Sequence, residues 1–253
     1  MFYDILAEND DSFQHKTIKH INTLPVEVRC RTYALMSVGK QLSAVKDAHL
    51  SNVFKLQKDN EELLRKLYEE RRKVVDPNGG LGGVPGFWLN CLLKNETTAP
   101  MISSRDKEAL QSLRDITIEY VDNDISKGFV LNFHFDSSVY LNQQVLRKTF
   151  RQNLIHGEQY LYGIEGSKIS WKSDQADLTK CKESKKRKPG ARFSGKHRQT
   201  ESFFNFFALR HTRDMDMDSS DVRQEEEMEY EVGLEIKNQI VPFAIDYFLG
   251  ERR

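Results

Sequence analysis

The sequence has few cysteines and no long apolar run, and both shortages narrow the class of protein. Its cysteines, Cys30, Cys91 and Cys181, are odd in number, far apart and without C-x-x-C spacing, which argues against a disulfide framework and against a zinc site. We therefore expect a reducing compartment, cytosol or nucleus. No run of about 18 apolar residues occurs, and residues 1–9 carry no positive region before an apolar one, so neither a membrane span nor a secretory signal is predicted.

Patterns that would indicate catalysis are also missing. The glycine-rich stretch 79–83 follows a predicted helix and has no Lys-Ser/Thr after it, and the H-x-E spacing of His156 and Glu158 has no P-C-x-x-C partner. Cys91 stands among apolar residues, where a thiol is inert. His134 falls on the outward face of a predicted strand. The sequence therefore predicts no enzyme, no metal or other cofactor, and no small-molecule substrate.

An excess of one charge is absent too, since 38 basic residues balance 38 acidic ones, but the charges are segregated. Residues 180–198 hold nine Lys/Arg and one acid, and residues 214–231 hold nine Asp/Glu and one Arg. Opposed segments of this kind are typical of a protein that binds through charge. A dense basic cluster could act as a nuclear import signal, as a nucleic-acid contact or simply as a solvated loop. That cluster consists of Lys185, Lys186, Arg187 and Lys188.

Proline and glycine are scarce between residues 24 and 75, where we predict one long helix. Thr23, Pro25 and Glu27 supply a hydroxyl cap, a first-turn proline and an acid at the positive end. The stretch 76–80, Asp-Pro-Asn-Gly-Gly, ends the helix. Such a helix would be roughly 78 Å long, against a diameter of roughly 45 Å for a compact globule of this chain length. It must therefore project or pair, unless it lies across one core as an ordinary long helix.

Apolar residues recur along this helix at heptad spacing, lapse at His49 and Asn52, and then resume. A stripe of this kind favours self-association, so we predict a homodimer. A leucine-containing stretch can also act as an export signal. The predicted dimerisation residues are Leu35, Val38, Leu42, Val45, Leu56 and Leu63.

The remaining sequence predicts an antiparallel sheet backed by helices. A polar helix starts near Ser103, and apolar residues then alternate over 115–120 and 129–135, which indicates a hairpin. Two more strands are expected at 159–164 and 168–172, and an amphipathic helix at about 229–248 interrupted near Pro242. The predicted fold is α+β, with an N-terminal segment and helix (1–80) and an α/β domain (81–253).

Several short motifs in one order resemble the nucleosome assembly protein family of histone chaperones. Tyr-Glu-Glu-Arg-Arg-Lys-Val-Val closes the long helix at 68–75, and Gly-Val-Pro-Gly-Phe-Trp-Leu follows at 83–89. Gly-Phe-Val-Leu-Asn-Phe stands at 128–133, Ser-Phe-Phe-Asn-Phe-Phe at 202–207, and Val-Pro-Phe-Ala-Ile-Asp-Tyr-Phe-Leu-Gly-Glu at 241–251. The likeness covers 24–251.

This resemblance implies a headphone-shaped homodimer, in which paired long helices carry two earmuff-like α/β domains. It also implies acidic surfaces that bind core histones and release them onto DNA without ATP, an import signal in the basic hairpin at 180–198, and a location in nucleus and cytoplasm with import and export receptors as partners. The predicted histone contacts are Asp214, Asp216, Asp218, Asp221, Glu225, Glu226, Glu227, Glu229 and Glu231.

The chain also departs from this family. Family members are usually strongly acidic and end in an acidic tail, whereas this sequence is neutral and ends at Arg253, so either a tail was removed or this is a short member. The alternative function is a nucleic-acid-binding or nuclear import adaptor module that acts through the basic segment.

Overall fold

The computed structural model describes residues 19–76, 82–155, 158–180, 201–208 and 219–252. The chain divides into two compact units, Met1–Leu56 and Gln57–Arg253. The division at residue 80 that the sequence suggested stays a prediction.

Helix α1 spans Val26–Val75, which confirms the predicted long helix. Glu27 lies in its first turn, and Arg72 and Lys73 lie in its last, as the helix dipole favours. The Thr23 hydroxyl does not cap this helix, since it donates to the His20 carbonyl oxygen at 2.7 Å. At 50 residues and 1.5 Å per residue, α1 is about 75 Å long.

A set of short helices follows α1. Helix α2 spans Phe87–Lys94, and a 3-10 turn at Ala99–Met101 leads into helix α3, Ser104–Leu110. Ser103 and Asp106 form a reciprocal capping box at the start of α3, which explains why the predicted helix begins there. The Asp106 carboxylate also accepts from the Ser202 hydroxyl and the Phe203 N–H, so this cap joins two distant parts of the domain.

Four antiparallel strands form one sheet in the order β1-β2-β3-β4. They are Leu113–Tyr120, Gly128–Phe135, Val145–Ile155 and Glu158–Gly166. The β1–β2 hairpin is confirmed, with Ile118 opposite Leu131.

The prediction for the second half of the sheet was partly wrong. The predicted strand at 159–164 exists within β4, but its partner is β3, which the sequence analysis missed. Residues 168–172 form no named strand, and Trp171 makes only an isolated bridge to Leu141. The sequence analysis missed β3 because the buried Lys148 interrupts the run of apolar residues on the core face of this strand.

The core is aromatic and lies on one face of the sheet. Phe129, Leu131, Phe133 and Phe135 of β2 are buried there. The 3-10 segment Phe203–Phe207 packs against them, with the Phe133 and Phe207 ring centroids 5.0 Å apart. Apolar residues alternate along β2 because one face of this strand packs into the aromatic core.

Helix α4, Ser219–Glu235, continues into a π-helical segment, Ile236–Ile240, and after a turn the chain forms helix α5, Ala244–Leu249. The predicted helix at 229–248 was therefore wrong in its start, which lies ten residues earlier, while the interruption near Pro242 is confirmed. Gly233 allows α4 to approach the sheet closely, because an added Cβ would lie 2.5 Å from the Phe150 ring.

Candidate functional site

Only part of the predicted acidic surface lies in the described residues. Asp214, Asp216 and Asp218 fall outside them, whereas the backbone of Asp221 and all of the glutamates from Glu225 to Glu231 belong to α4. This helix therefore carries most of the predicted histone contacts.

Glu229 has a structural partner rather than a free carboxylate. Its Oε2 lies 2.7 Å from Nζ of Lys148, a β3 side chain with no exposed surface. The same ammonium lies 5.3 Å from the centroid of the Phe206 ring. Glu229 therefore joins α4 to the sheet, and its charge is largely compensated.

The other side of α4 presents acids to solvent. Glu227 and Glu231 are exposed, one helical turn apart, and Glu226 is partly exposed beside them. Met228 lies between them with 51% of its surface exposed. This exposed side of α4, with Glu226, Glu227 and Glu231, is called here the acidic face.

The basic segment contributes only its first residue to the described structure. Lys180 pairs with Asp177 at 3.0 Å, and that partner raises the pKa of the Lys180 ammonium. The predicted import-signal residues, Lys185, Lys186, Arg187 and Lys188, lie outside the described residues.

The predicted dimerisation residues of α1 are all exposed in the single chain. Leu35 is 70% exposed, Leu42 60% and Leu56 69%, and Val38, Val45 and Leu63 are exposed by half or more. An apolar stripe of this length is unusual on the surface of a monomer. This stripe of six residues is called here the apolar stripe.

Arg71 joins the C-terminal end of α1 to the α/β domain. Its guanidinium lies 4.6 Å from the Tyr68 ring centroid and 4.9 Å from that of Trp88, and it donates to the carbonyl oxygen of Val241. Asp115 on β1 is buried within its electrostatic reach, and desolvation raises the pKa of that carboxyl to about 6 against the opposing effect of Arg71. The sequence showed Arg71 only as a cation at a helix end, so this role was missed.

The two residues considered for catalysis lie in separate settings. Cys91 is fully buried, its thiol donates to the Ala244 carbonyl oxygen at 3.1 Å, and burial raises its pKa to about 12. His134 lies on the sheet face opposite the aromatic core as predicted, but it is half-buried, with Nε2 2.9 Å from the Thr117 hydroxyl. Burial and the nearby Arg72 lower its pKa.

Neither a metal-binding cluster nor a membrane-spanning helix is found in the described residues. Within residues 19–76, 82–155, 158–180, 201–208 and 219–252, no group of three or more His, Cys, Asp or Glu side chains could hold a metal ion. No helix in that part of the chain is both long and apolar enough to cross a bilayer.

Comparison with known sequences decides the family. A family model described as nucleosome assembly protein (NAP) matches residues 30–251. The chain belongs to the nucleosome assembly protein family.

Relatives in this family include two plant proteins. Nucleosome assembly protein 1;2 of Nicotiana tabacum is 30% identical over 93% of this chain and 70% of its own length. Nucleosome assembly protein 1;2 of Arabidopsis thaliana is 31% identical over 94% of this chain and 68% of its own.

Solved structures of the family share the fold. Nucleosome Assembly Protein 1 from Plasmodium knowlesi superposes with a TM-score of 0.73 at 28% identity, and it covers 90% of this chain and 98% of its own. A malaria parasite nucleosome assembly protein gives a TM-score of 0.68 at 26% identity, with 90% and 99% covered. The long helix followed by an antiparallel sheet with helices is therefore the architecture of this family.

Proposed function

We propose that this chain is a histone chaperone that binds core histones through the acidic face of α4 together with the acids at 214–218. It shields the basic surfaces of histones from non-specific DNA contact and transfers histones to and from DNA without ATP. The observation that supports this proposal is a solvent-facing group of glutamates on a family member whose relatives are named for nucleosome assembly. Charge competition of this kind requires accessible carboxylates and no catalytic group.

The experiment is a titration of labelled core histones at fixed salt with a variant that carries Glu226→Gln, Glu227→Gln and Glu231→Gln. Three exposed ion pairs at about 0.5 kcal/mol each predict a roughly tenfold weaker affinity. The matched control replaces Glu96, Glu201 and Glu251, which are exposed and belong to segments other than α4, with Gln. Both variants lose the same net charge, so equal affinities in the two would exclude the acidic face as the contact.

A separate variant tests the acids outside the described residues. Asp214→Asn, Asp216→Asn and Asp218→Asn should weaken histone binding further when combined with the α4 changes. Glu229 is kept in all of these histone-binding variants, because the loss of its pair with Lys148 would confuse a loss of affinity with a loss of stability.

Self-association belongs to the same proposal. The apolar stripe is exposed by half or more at each of its six residues, and pairing with a second copy would remove it from water. A homodimer would carry two acidic faces, so one basic cargo could be held from both sides.

The basic segment 180–198 supports the second candidate, a nucleic-acid-binding or import adaptor module in a protein of nucleus and cytoplasm. Nine Lys/Arg within this segment could bind phosphate or an import receptor. Deletion of residues 181–198 distinguishes these two candidate functions. Under the chaperone proposal the deletion leaves histone affinity intact, whereas loss of a tight, steeply salt-dependent DNA affinity would favour the second candidate.

A further inference from the structure

A pocket of about 310 Å³ lies where α1, the sheet and the end of α4 meet. Its rim carries the exposed carboxamides of Gln57, Asn60, Gln159 and Asn238. Phe129, only 2% exposed, lines its interior. Its size is at the lower end of the range for small-ligand sites, and a few polar groups over an apolar floor are typical of such sites.

Among the described residues that line this pocket, Lys237 is the one cation. Its ammonium lies 5.3 Å from the Phe129 ring centroid and 6.0 Å from that of Tyr120, and it donates to the Asn238 side-chain oxygen at 2.9 Å. No carboxylate oxygen of the described residues forms an ion pair with it. Desolvation lowers the pKa of Lys237, although Glu61 acts in the opposite direction.

A second donor faces the same space. The Tyr230 hydroxyl oxygen accepts from the Gln152 amide, and within the described chain its own proton is donated to no group. Tyr230, Leu234 and Lys237 follow one another at spacings of four and three, so they lie on one helical face and all line the pocket. The Lys237 ammonium and the Tyr230 hydroxyl can therefore both donate further hydrogen bonds, and Phe129 forms the apolar base of the pocket.

The charges in the pocket select the class of ligand. A partly desolvated ammonium without an ion-pair partner favours an anion, because a charge-assisted hydrogen bond is about twice as strong as a neutral one. Glu61, however, lines the same pocket and accepts from the Tyr120 hydroxyl at 2.8 Å. Its negative charge disfavours a group that concentrates two charges, such as phosphate or sulfate, and leaves a singly charged group such as a carboxylate as the better fit.

We propose that this pocket binds a carboxylate group, held by the Lys237 ammonium and the Tyr230 hydroxyl, with the aliphatic part of the ligand against Phe129 and Leu234. The carboxylate belongs either to a small organic acid or to an acidic side chain of a peptide. This site differs from the acidic face of the same helix, whose carboxylates are proposed to contact basic cargo.

The test follows backbone amide shifts of the full chain by NMR while probes are added at constant ionic strength. The probes are glutarate, a capped peptide of three glutamates, glutaramide as the neutral isostere, and sulfate. Saturable shifts at Gly128, Gln152 and Asn238 with glutarate but not with glutaramide or sulfate support the site. A response to glutarate alone identifies a small acid as the source, and a response to the peptide alone identifies an acidic side chain.

Lys237→Met should abolish these shifts, and Tyr230→Phe should reduce affinity several-fold. Lys172→Met, which removes an exposed lysine elsewhere, should titrate like the unmodified chain. If Lys237→Met does not fold, the pH series on the unmodified chain replaces it. The glutarate shifts must then disappear as pH rises through the lowered pKa of Lys237. Equal shifts with glutaramide, an unchanged response in Lys237→Met, or the absence of saturable shifts would overturn the site.

Discussion

Lys148 and Glu229 show how a side chain can be acidic in sequence and structural in the folded chain. The Lys148 side chain has no exposed surface, and 13% of the Glu229 side chain is exposed. A buried charge requires an oppositely charged partner, because it has lost the interactions with water that would otherwise stabilise it. Glu229 therefore contributes to the packing of α4 more than to any cargo surface.

We predict that Glu229→Gln lowers the free energy of unfolding by about 3–5 kcal/mol, since it removes a carboxylate that pairs with a buried ammonium. Urea denaturation followed by circular dichroism measures this change. Glu227→Gln, on the exposed side of the same helix, is the matched control and should change stability by less than about 0.5 kcal/mol. Similar midpoints for the two variants would contradict the assigned role of the pair.

Asp115 is a buried acid whose ionisation is opposed by its surroundings. It is 4% exposed, desolvation raises its pKa to about 6, and Arg71, the Ile116 N–H and Arg72 act against that rise. Because the folded chain binds this proton more tightly than the unfolded chain, the group adds stability as pH falls from about 6 towards 4 and loses it as pH rises again. His134 lies opposite Asp115 in the β1–β2 register and has a lowered pKa. Its contribution to stability therefore changes with pH in the opposite direction to that of Asp115.

Comparison with Asp115→Asn isolates the contribution of this carboxyl. Between about pH 7 and about pH 4.5, the unfolding free energy of the unmodified chain should rise relative to that of the variant by about 2 kcal/mol. Urea denaturation of both proteins at the two pH values provides the measurement. A difference that stays constant with pH would show that Asp115 titrates normally.

Among the elements, α1 combines clear start and stop signals in its sequence with an apolar surface that the described part of the chain leaves exposed. Its 50 residues contain only Gly39 as an interior glycine and no proline, so the helix continues without a break. Buried residues are almost absent from it, and Val75 at its end is the exception among its described residues. A helix of this kind gains stability chiefly from packing of its apolar side against another element.

Replacement of Leu35 and Leu42 by Gln should dissociate the proposed dimer. Gln is a good helix former, so the helix itself is retained while the apolar stripe is interrupted. The control replaces Lys40 and Asp47, which are exposed away from the stripe, with Gln. Sedimentation should give a monomer mass for the first variant and a dimer mass for the second, and a Leu35/Leu42 variant that remains dimeric would refute this register.

At the scale of the whole molecule, neutral net charge conceals two oppositely charged segments. The basic 180–198 and the acidic 214–231 cancel in the sum of 38 and 38, so overall charge does not predict the partner. The local charge of each segment is the better predictor of its partner, because salt screening limits the reach of exposed charges to about 8–10 Å at physiological salt.

Salt dependence should therefore report the acidic face directly. Affinity for core histones should fall as salt rises, and the slope should be shallower in the Glu226/Glu227/Glu231 variant than in the unmodified chain, because fewer exposed charges remain to be screened. Titrations at three salt concentrations, with the Glu96/Glu201/Glu251 variant as control, measure the slopes. Parallel lines for all three proteins would place the histone contact elsewhere.

The sequence by itself determined the parts of this protein that depend on neighbouring residues. The composition of 76–80 predicts the end of α1, which the structure places at Val75. Ser103 and Asp106 start α3, and the alternation of apolar residues over 115–120 and 129–135 predicts the hairpin. These signals act within a few residues, so they can be read without the fold. The ordered motifs at 68–75, 83–89 and 241–251 indicated the family by the same local reading.

Tertiary structure decided which side chains are available to a partner. Glu229 looks like its acidic neighbours in the sequence, but it is paired because Lys148 lies opposite it, 81 residues away. Arg71 joins α1 to the domain through Val241, 170 residues away, and Lys237 meets Phe129 and Tyr120 from another element. Local periodicity reports that one face of an element is covered, but only packing between distant residues determines what covers it and which charges remain exposed.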